Sequence, residues 1–187
     1  MAHGAASLNG MKVAILVTDG FEQVEMTKPR QALDEAGAVT RLVSPKDGQV
    51  RGWKHQDPAD SFAVDTPLQQ AAAEEFDALV LPGGVANADQ LRTEPLAVHF
   101  VRRMFEADRP VAVICHGAWI LADAGALDGR VLTSWPSLRT DLHNAGAEWV
   151  DEEVRVDGRL VSSRNPHDLP AFCAALVDVF TGAATPQ

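Results

Sequence analysis

Clustered positive charge is missing from this sequence. The 16 Lys and Arg are scattered among 26 Asp and Glu, for a formal charge of −10. A phosphate backbone is gripped by grouped basic side chains, so a nucleic-acid partner is not expected. Long apolar runs are missing too. No stretch approaches the ~20 residues of a bilayer-spanning helix, and the opening "MAHGAASLNG" has neither the basic start nor the apolar run of a signal peptide. A cytoplasmic protein without a membrane partner is expected. Cysteine is scarce: Cys115 and Cys173 are the only two, and they make neither a Cys-x-x-Cys pair nor a disulfide framework. That fits a reducing compartment and leaves structural zinc without support. Gly-Lys-Ser/Thr is absent after the one glycine pair that follows an apolar run, which excludes a phosphate loop there. Internal repeats and low-complexity linkers are also lacking.

What is present is an ordinary globular composition, 46% apolar and 22% charged over 187 residues, enough for one domain with a sizeable core. "MKVAILVTDG" (11–20) reads as a buried strand ending in a turn. An amphipathic helix follows as far as Gly37, with a kink or restart expected at Pro29. "AVTRLVSP" is a second strand, and "DGQVRGW" and "SFAVD" are candidate edge strands. "FDALVLPGG" (76–84) is a buried strand running into a glycine loop. Residues 94–108 have helical spacing, and "PVAVICHG" is a further buried strand feeding the helix "AWILADAGAL". Beyond it come a short strand "RVLTSWP", a helix over "SLRTDLHNAG", and a hairpin at Asp157-Gly158. A final helix is capped by Asn165 with Pro166 in its first turn. Residues 1–10 are expected to be a flexible extension and 182–187 a frayed tail. The alternation of strand and helix argues for an α/β fold: a single-domain, three-layer sandwich, mostly parallel, with helices on both faces of the sheet.

In such a sheet ligands collect beyond the carboxyl ends of the strands, which singles out Asp19 to Glu22, Pro82 to Asp89 and Cys115 to Gly117. A helix beginning just after Cys115 would favour its thiolate. A sharp strand-to-helix turn would also expose the sulfur and aim the next N–H at a developing oxyanion, with Gly117 giving room for the turn. The competing reading of Cys115 is a small buried apolar residue. Cys173, amid "AFCAALV", reads as core. His116 is either a general base or a structural histidine. Glu22 is either a solvated acid at a helix start or a carboxyl group facing the thiol. In the latter case its useful state is protonated, donating a hydrogen bond to an ionised cysteine. The Gly83-Gly84 loop is either a tight turn or the source of an oxyanion-hole N–H.

"MKVAILVTDGFEQVE", "EEFDALVLPGG", "RPVAVICHG" and "NAGAEWVDEEVRVDGRLVSSRNPHDLPAF" together resemble the PfpI family of intracellular cysteine proteins, within the ThiJ/PfpI superfamily. The resemblance runs over residues 11 to 181. It implies a flavodoxin-like, class I glutamine amidotransferase-like fold, and bacterial members of this kind are often labelled general stress proteins. It also implies Cys115 as nucleophile, Glu22 as its protonated partner, His116 as the adjacent catalytic histidine, and the Gly84 and His116 N–H groups as the oxyanion hole. In the peptidase members a glutamate from a neighbouring subunit completes a triad. The corresponding segment here, "VANADQLR", is one residue longer, and Asp89 is its nearest acid. The family implies a homodimer, which in some members builds to a hexamer, and requires no dissociable cofactor. True glutamine amidotransferases carry a late His-x-Glu. His167 sits in that region but is followed by Asp168 and Leu169, and the resemblance makes it a surface residue.

Three functions are in play. The first is a cysteine hydrolase in stress protection, working through a covalent Cys115 intermediate on peptides or on carbonyl adducts of the methylglyoxal type. The second is a redox or stress-response protein with a reversibly oxidised Cys115. The third is a chaperone-like binding protein that does not depend on Cys115.

Overall fold

Side chains alternate across a strand, so strands that are apolar on both faces must be covered on both sides. The computed structural model describes residues 7–182 and meets that demand. Its strands are β1 (Lys12–Leu16), β2 (Phe21–Glu22), β3 (Val39–Ser44), β4 (Gln49–Lys54), β5 (Asp57–Ala63), β6 (Thr66–Pro67), β7 (Ala78–Leu81), β8 (Val111–Ile114), β9 (Val131–Leu132), β10 (Glu148–Trp149), β11 (Val154–Asp157) and β12 (Leu160–Ser163). Its helices are α1 (Gln23–Glu35), α2 (Val85–Arg92), α3 (Pro95–Glu106), α4 (Trp119–Asp123), α5 (Arg139–Asn144) and α6 (Leu169–Phe180).

Seven strands form the main sheet in the order β11-β12-β8-β7-β1-β3-β6. All neighbours are parallel except the β11–β12 hairpin, whose turn is Gly158-Arg159, one residue beyond the expected Asp157-Gly158. Val13, Ile15, Val80 and Ile114 face α1 and α6, where Met26, Leu33, Phe172 and Leu176 cover them. Ala14, Leu16, Leu81 and Val113 face the opposite way, against Phe100 and Met104 of α3 and Ile120 and Leu121 of α4. This is the three-layer α/β arrangement expected from the sequence. Strand order reverses at β1, which lies between β3 and β7. The crevice at the carboxyl ends of β1 and β7 is therefore where a ligand is expected in a parallel sheet.

Several local expectations change. Pro29 lies inside α1, which runs 13 residues as one element; the proline is buried against the core, and the helix forgoes one backbone hydrogen bond there. "VANADQLR" is the helix α2, not a loop. The two candidate edge strands are β4 and β5 of a separate three-stranded sheet in the order β2-β4-β5, in which β4 is central and only β5 is an edge. Asn165 does cap, accepting from His167 N at 2.9 Å, but the capped element is a short turn, Pro166–Asp168, from which α6 continues. Within the expected N-terminal extension Leu8 is buried, and its N–H donates to Ala36 O at 2.8 Å. Residues 1–6 and 183–187, which carry the rest of the two expected tails, lie outside the described residues. Among the described residues no helix is long and apolar enough to cross a membrane.

After β12 the chain is pinned by Asp168, whose side chain is 4% exposed. It accepts from Arg164 N at 3.0 Å, Nε at 2.9 Å and a terminal guanidinium nitrogen at 2.9 Å. Asp151 takes another N–H of the same guanidinium, and together Asp168 and Asp151 hold the Arg164 pKa above its ordinary value. Truncating the buried partner strands three donors. Asp168→Ala is expected to lower the unfolding free energy by about 2 kcal/mol, read from urea denaturation at unchanged m-value.

Candidate active site

The chain reaches the end of β8 and turns sharply, with Cys115 at φ 61°. This left-handed conformation is costly for a side chain with a Cβ and is kept only where the surroundings enforce it. Residues Cys115–Ala118 form a short 3-10 turn that leads into the five-residue α4. Gly117 makes the turn possible, because a Cβ there would come within 2.8 Å of Pro82 O. The sharp turn expected at the end of this strand is present. The helix after it is too short to supply a large dipole, and burial dominates instead: the Cys115 thiol is pushed up from its ordinary pKa, first by desolvation and then by the nearby Glu25 charge. Backbone N–H groups of Gly84 and His116 reach the sulfur and oppose that rise.

Gly84 has φ 92°, and a Cβ on it would lie 2.6 Å from Glu22 N. The loop carrying it is held by Asn87, which is fully buried in α2. Asn87 donates to Pro82 O at 3.2 Å and Gly83 O at 3.1 Å, and accepts from Thr18 N at 2.8 Å. One side chain thus ties the ends of β1 and β7 together, a role the sequence reading did not assign.

The carboxyl group beside the thiol belongs to Glu25, one helical turn beyond Glu22. Glu25 is wholly buried, and its Oε2 accepts from Gly83 N at 3.0 Å. Burial, reinforced by the neighbouring Glu22 charge, raises its pKa to about 8. Oε1 is buried without a partner in ordinary hydrogen-bond geometry among the described residues, while the carboxyl and the thiol lie close enough to couple. An oxygen without a donor favours the protonated acid, whose O–H can then turn toward the neighbouring sulfur. Glu22 instead faces the cleft mouth and accepts from His55 N at 3.0 Å. Its position therefore differs from the one expected of it. The apolar face of α1, Met26, Pro29 and Leu33, extrapolates back onto both 22 and 25 and would have admitted either residue.

His116 Nδ1 lies 3.2 Å from Cys115 Sγ, so the adjacent histidine does meet the thiol. Burial lowers its pKa, which favours the neutral imidazole. Asp89 is exposed on α2, and no hydrogen bond joins it to His116 within the chain. The cleft, about 630 Å³, is lined by Glu22, Glu25, Gly84, Cys115 and His116, with Trp135, His55 and His167 at its walls and rim. Trp135 and His55 were not singled out from the sequence. His167 is exposed, as expected, yet borders this cleft. Cys173 packs between α1 and α6, where burial raises its pKa to about 11. No group of acidic, histidine or cysteine side chains suited to holding a metal occurs among the described residues.

Comparison with known proteins gives this geometry its relatives. A deglycase of Thermococcus kodakarensis is 46% identical over 167 residues, covering 89% of this chain and 98% of the relative. General stress protein 18 of Bacillus subtilis is 40% identical over 164 residues, covering 87% and 94%. Among solved structures, a two-domain protein from Anabaena variabilis with DJ-1/ThiJ/PfpI-like and ferritin-like domains superposes with a TM-score of 0.86 at 34% identity. That match covers 94% of this chain and half of the two-domain protein. The DJ-1/PfpI family model matches residues 11–179, and the chain belongs to that family.

Proposed function

We propose that this protein is a cysteine hydrolase of stress protection that acts on carbonyl adducts of the methylglyoxal type through the Cys115 thiolate. The carrying observation is the left-handed Cys115, with its sulfur among the buried Glu25 carboxyl, His116 Nδ1 and two backbone N–H groups. The name of the Thermococcus relative, a deglycase, supports the same reading. The thiolate bonds the aldehyde carbon, or the equivalent carbon of an adduct, whose amine or thiol then leaves with a proton. A proton passes from that carbon to the adjacent ketone carbon, converting the hemithioacetal to a lactoyl thioester without any external oxidant. Water cleaves the C–S bond, releasing lactate and regenerating Cys115.

Each step needs a proton donor or acceptor near sulfur. Protonated Glu25 donates to the thiolate and to the oxygen that forms on the attacked carbon, and neutral His116 accepts and returns the proton that moves between carbons. Gly84 and His116 N–H groups stabilise the oxyanion. Within this reading Asp89 has no catalytic part in its own chain, which favours carbonyl adducts over peptides. The homodimer implied by the sequence resemblance and the cytoplasmic setting read from the composition remain part of the proposal.

Lactate release from methylglyoxal and from methylglyoxal-treated amines and thiols is the direct test, on protein whose thiol is verified as reduced by intact mass. Repeated turnover that falls to background in Cys115→Ala is expected. Oxidation of Cys115 at low peroxide without turnover would move the function to redox response. Glu25→Gln, which can donate a hydrogen bond but not a proton, should lose about 10²-fold or more in kcat.

Proton count gives a second test. In the unfolded chain near neutral pH the cysteine holds one proton and the glutamate none. A folded pair with protonated Glu25 and ionised Cys115 also holds one, so the pair adds no slope of stability against pH. In Cys115→Ser only Glu25 titrates. Its folded value of about 8 lies above the model value of 4.5, so the stabilisation is complete below 4.5 and is lost as pH rises toward 8. The limiting slope for one proton is about 1.4 kcal/mol per pH unit. Urea denaturation from pH 5 to 8 should therefore find a falling stability in Cys115→Ser that native protein lacks. An equally steep fall in native protein would mean that the thiol keeps its proton.

A further inference from the structure

His116 has to present one particular ring nitrogen to sulfur, and a carboxylate commonly orients such an imidazole through its second nitrogen. Here no carboxylate of the described residues meets its Nε2. Tryptophan rings stand on either hand instead. Trp135 stacks on the imidazole at 5.6 Å between centroids and 25° between planes, and Trp119 meets it at 6.2 Å and 61°.

Trp119 is itself anchored. Its Nε1 donates to Asp141 at 2.9 Å, and the Arg92 guanidinium lies 4.6 Å from its ring centroid, fixed by a 2.8 Å bond to Asp123. Trp135 sits on a backbone tied to the nucleophile turn, since its N–H donates to Cys115 O at 3.3 Å. It nevertheless keeps 40% of its surface exposed beside the cleft, an exposure that core packing alone does not call for.

We infer that Trp135 and Trp119 are positioning residues that fix the plane of the His116 imidazole and screen it from water, taking the orienting role that a carboxylate has in a triad. Face-to-face contact sets the ring plane, and the Nδ1 contact with sulfur sets which edge faces inward. The other titratable side chains sharing the cleft are Cys115, Glu22, Glu25, His55 and His167, while Asp141 and Arg92 contact Trp119 and do not line the cleft. The inference takes its catalytic meaning from the proposed function, but the geometry can be tested without turnover.

The experiment follows the His116 ring resonance by NMR against pH, assigned by its loss in His116→Asn, in native protein, Trp135→Ala, Trp135→Phe and Asp89→Asn. The native midpoint should lie below that of an exposed histidine. Trp135→Ala should raise it by about half a pH unit or more as water reaches the ring. Trp135→Phe, which keeps a stacking face, should restore most of the native value, and Asp89→Asn should leave it unmoved. In parallel, turnover should fall about tenfold through kcat in Trp135→Ala and recover in Trp135→Phe. A midpoint that stays or falls in Trp135→Ala overturns the inference. So does a midpoint that drops in Asp89→Asn, which would assign the orientation to an acid of a second copy. Inactive native protein with the expected titration would sink the proposed function alone, whereas active protein with an unmoved titration would sink the aromatic slot alone.

Discussion

A carboxyl group with nowhere to send its charge organises this protein's cleft. Glu25 is wholly buried in the first turn of α1 and engages the Gly83 N–H on one side and the Cys115 thiol on the other. Its neutral form is stabilised by the apolar surroundings and by the nearby Glu22. Burial and the Glu25 charge both push the Cys115 thiol up, so a neutral Glu25 is the state that opposes ionisation of the sulfur least. Around the pair, Asn87 holds the glycine loop and Gly117 lets the turn at Cys115 pack beneath it. Both keep donor atoms in range of one sulfur.

The main sheet was legible in the sequence because its strands obey a local rule: β-branched and apolar runs bounded by turn residues. Cys115 and Gly84 were legible for the same reason, each falling where an apolar strand stops. Glu25 was harder, since an acidic residue near a helix start ordinarily points to water, and only the burial of the residues around it reverses that. Trp135 and His55 reach the cleft from separate elements, the loop after β9 and the β4–β5 turn, and no local pattern in either segment refers to Cys115. Pro29 misled because a proline inside a helix usually marks a break; here packing against the core outweighs the missing hydrogen bond.

Asp89 illustrates a different limit. The segment that carries it is one residue longer than in the peptidase pattern, and it forms the helix α2, on which the aspartate is exposed at the surface of its own chain. The spacing of residues along a chain carries their direction only once the secondary structure is known. His116, left without that acid in its own chain, is flanked by aromatic rings.

The cleft draws its walls from two sheets. Cys115, Glu25 and the glycine loop sit at the ends of the main sheet and on the helix packed against it. The outer rim at His55 and Gln56 belongs to the hairpin of the small β2-β4-β5 sheet, with His55 itself at φ 58°. The floor of the cleft and its rim therefore answer to different folding constraints. The hairpin tip can change in length or charge without disturbing the ends of the main sheet, so the rim of the cleft is able to vary while its floor stays as it is.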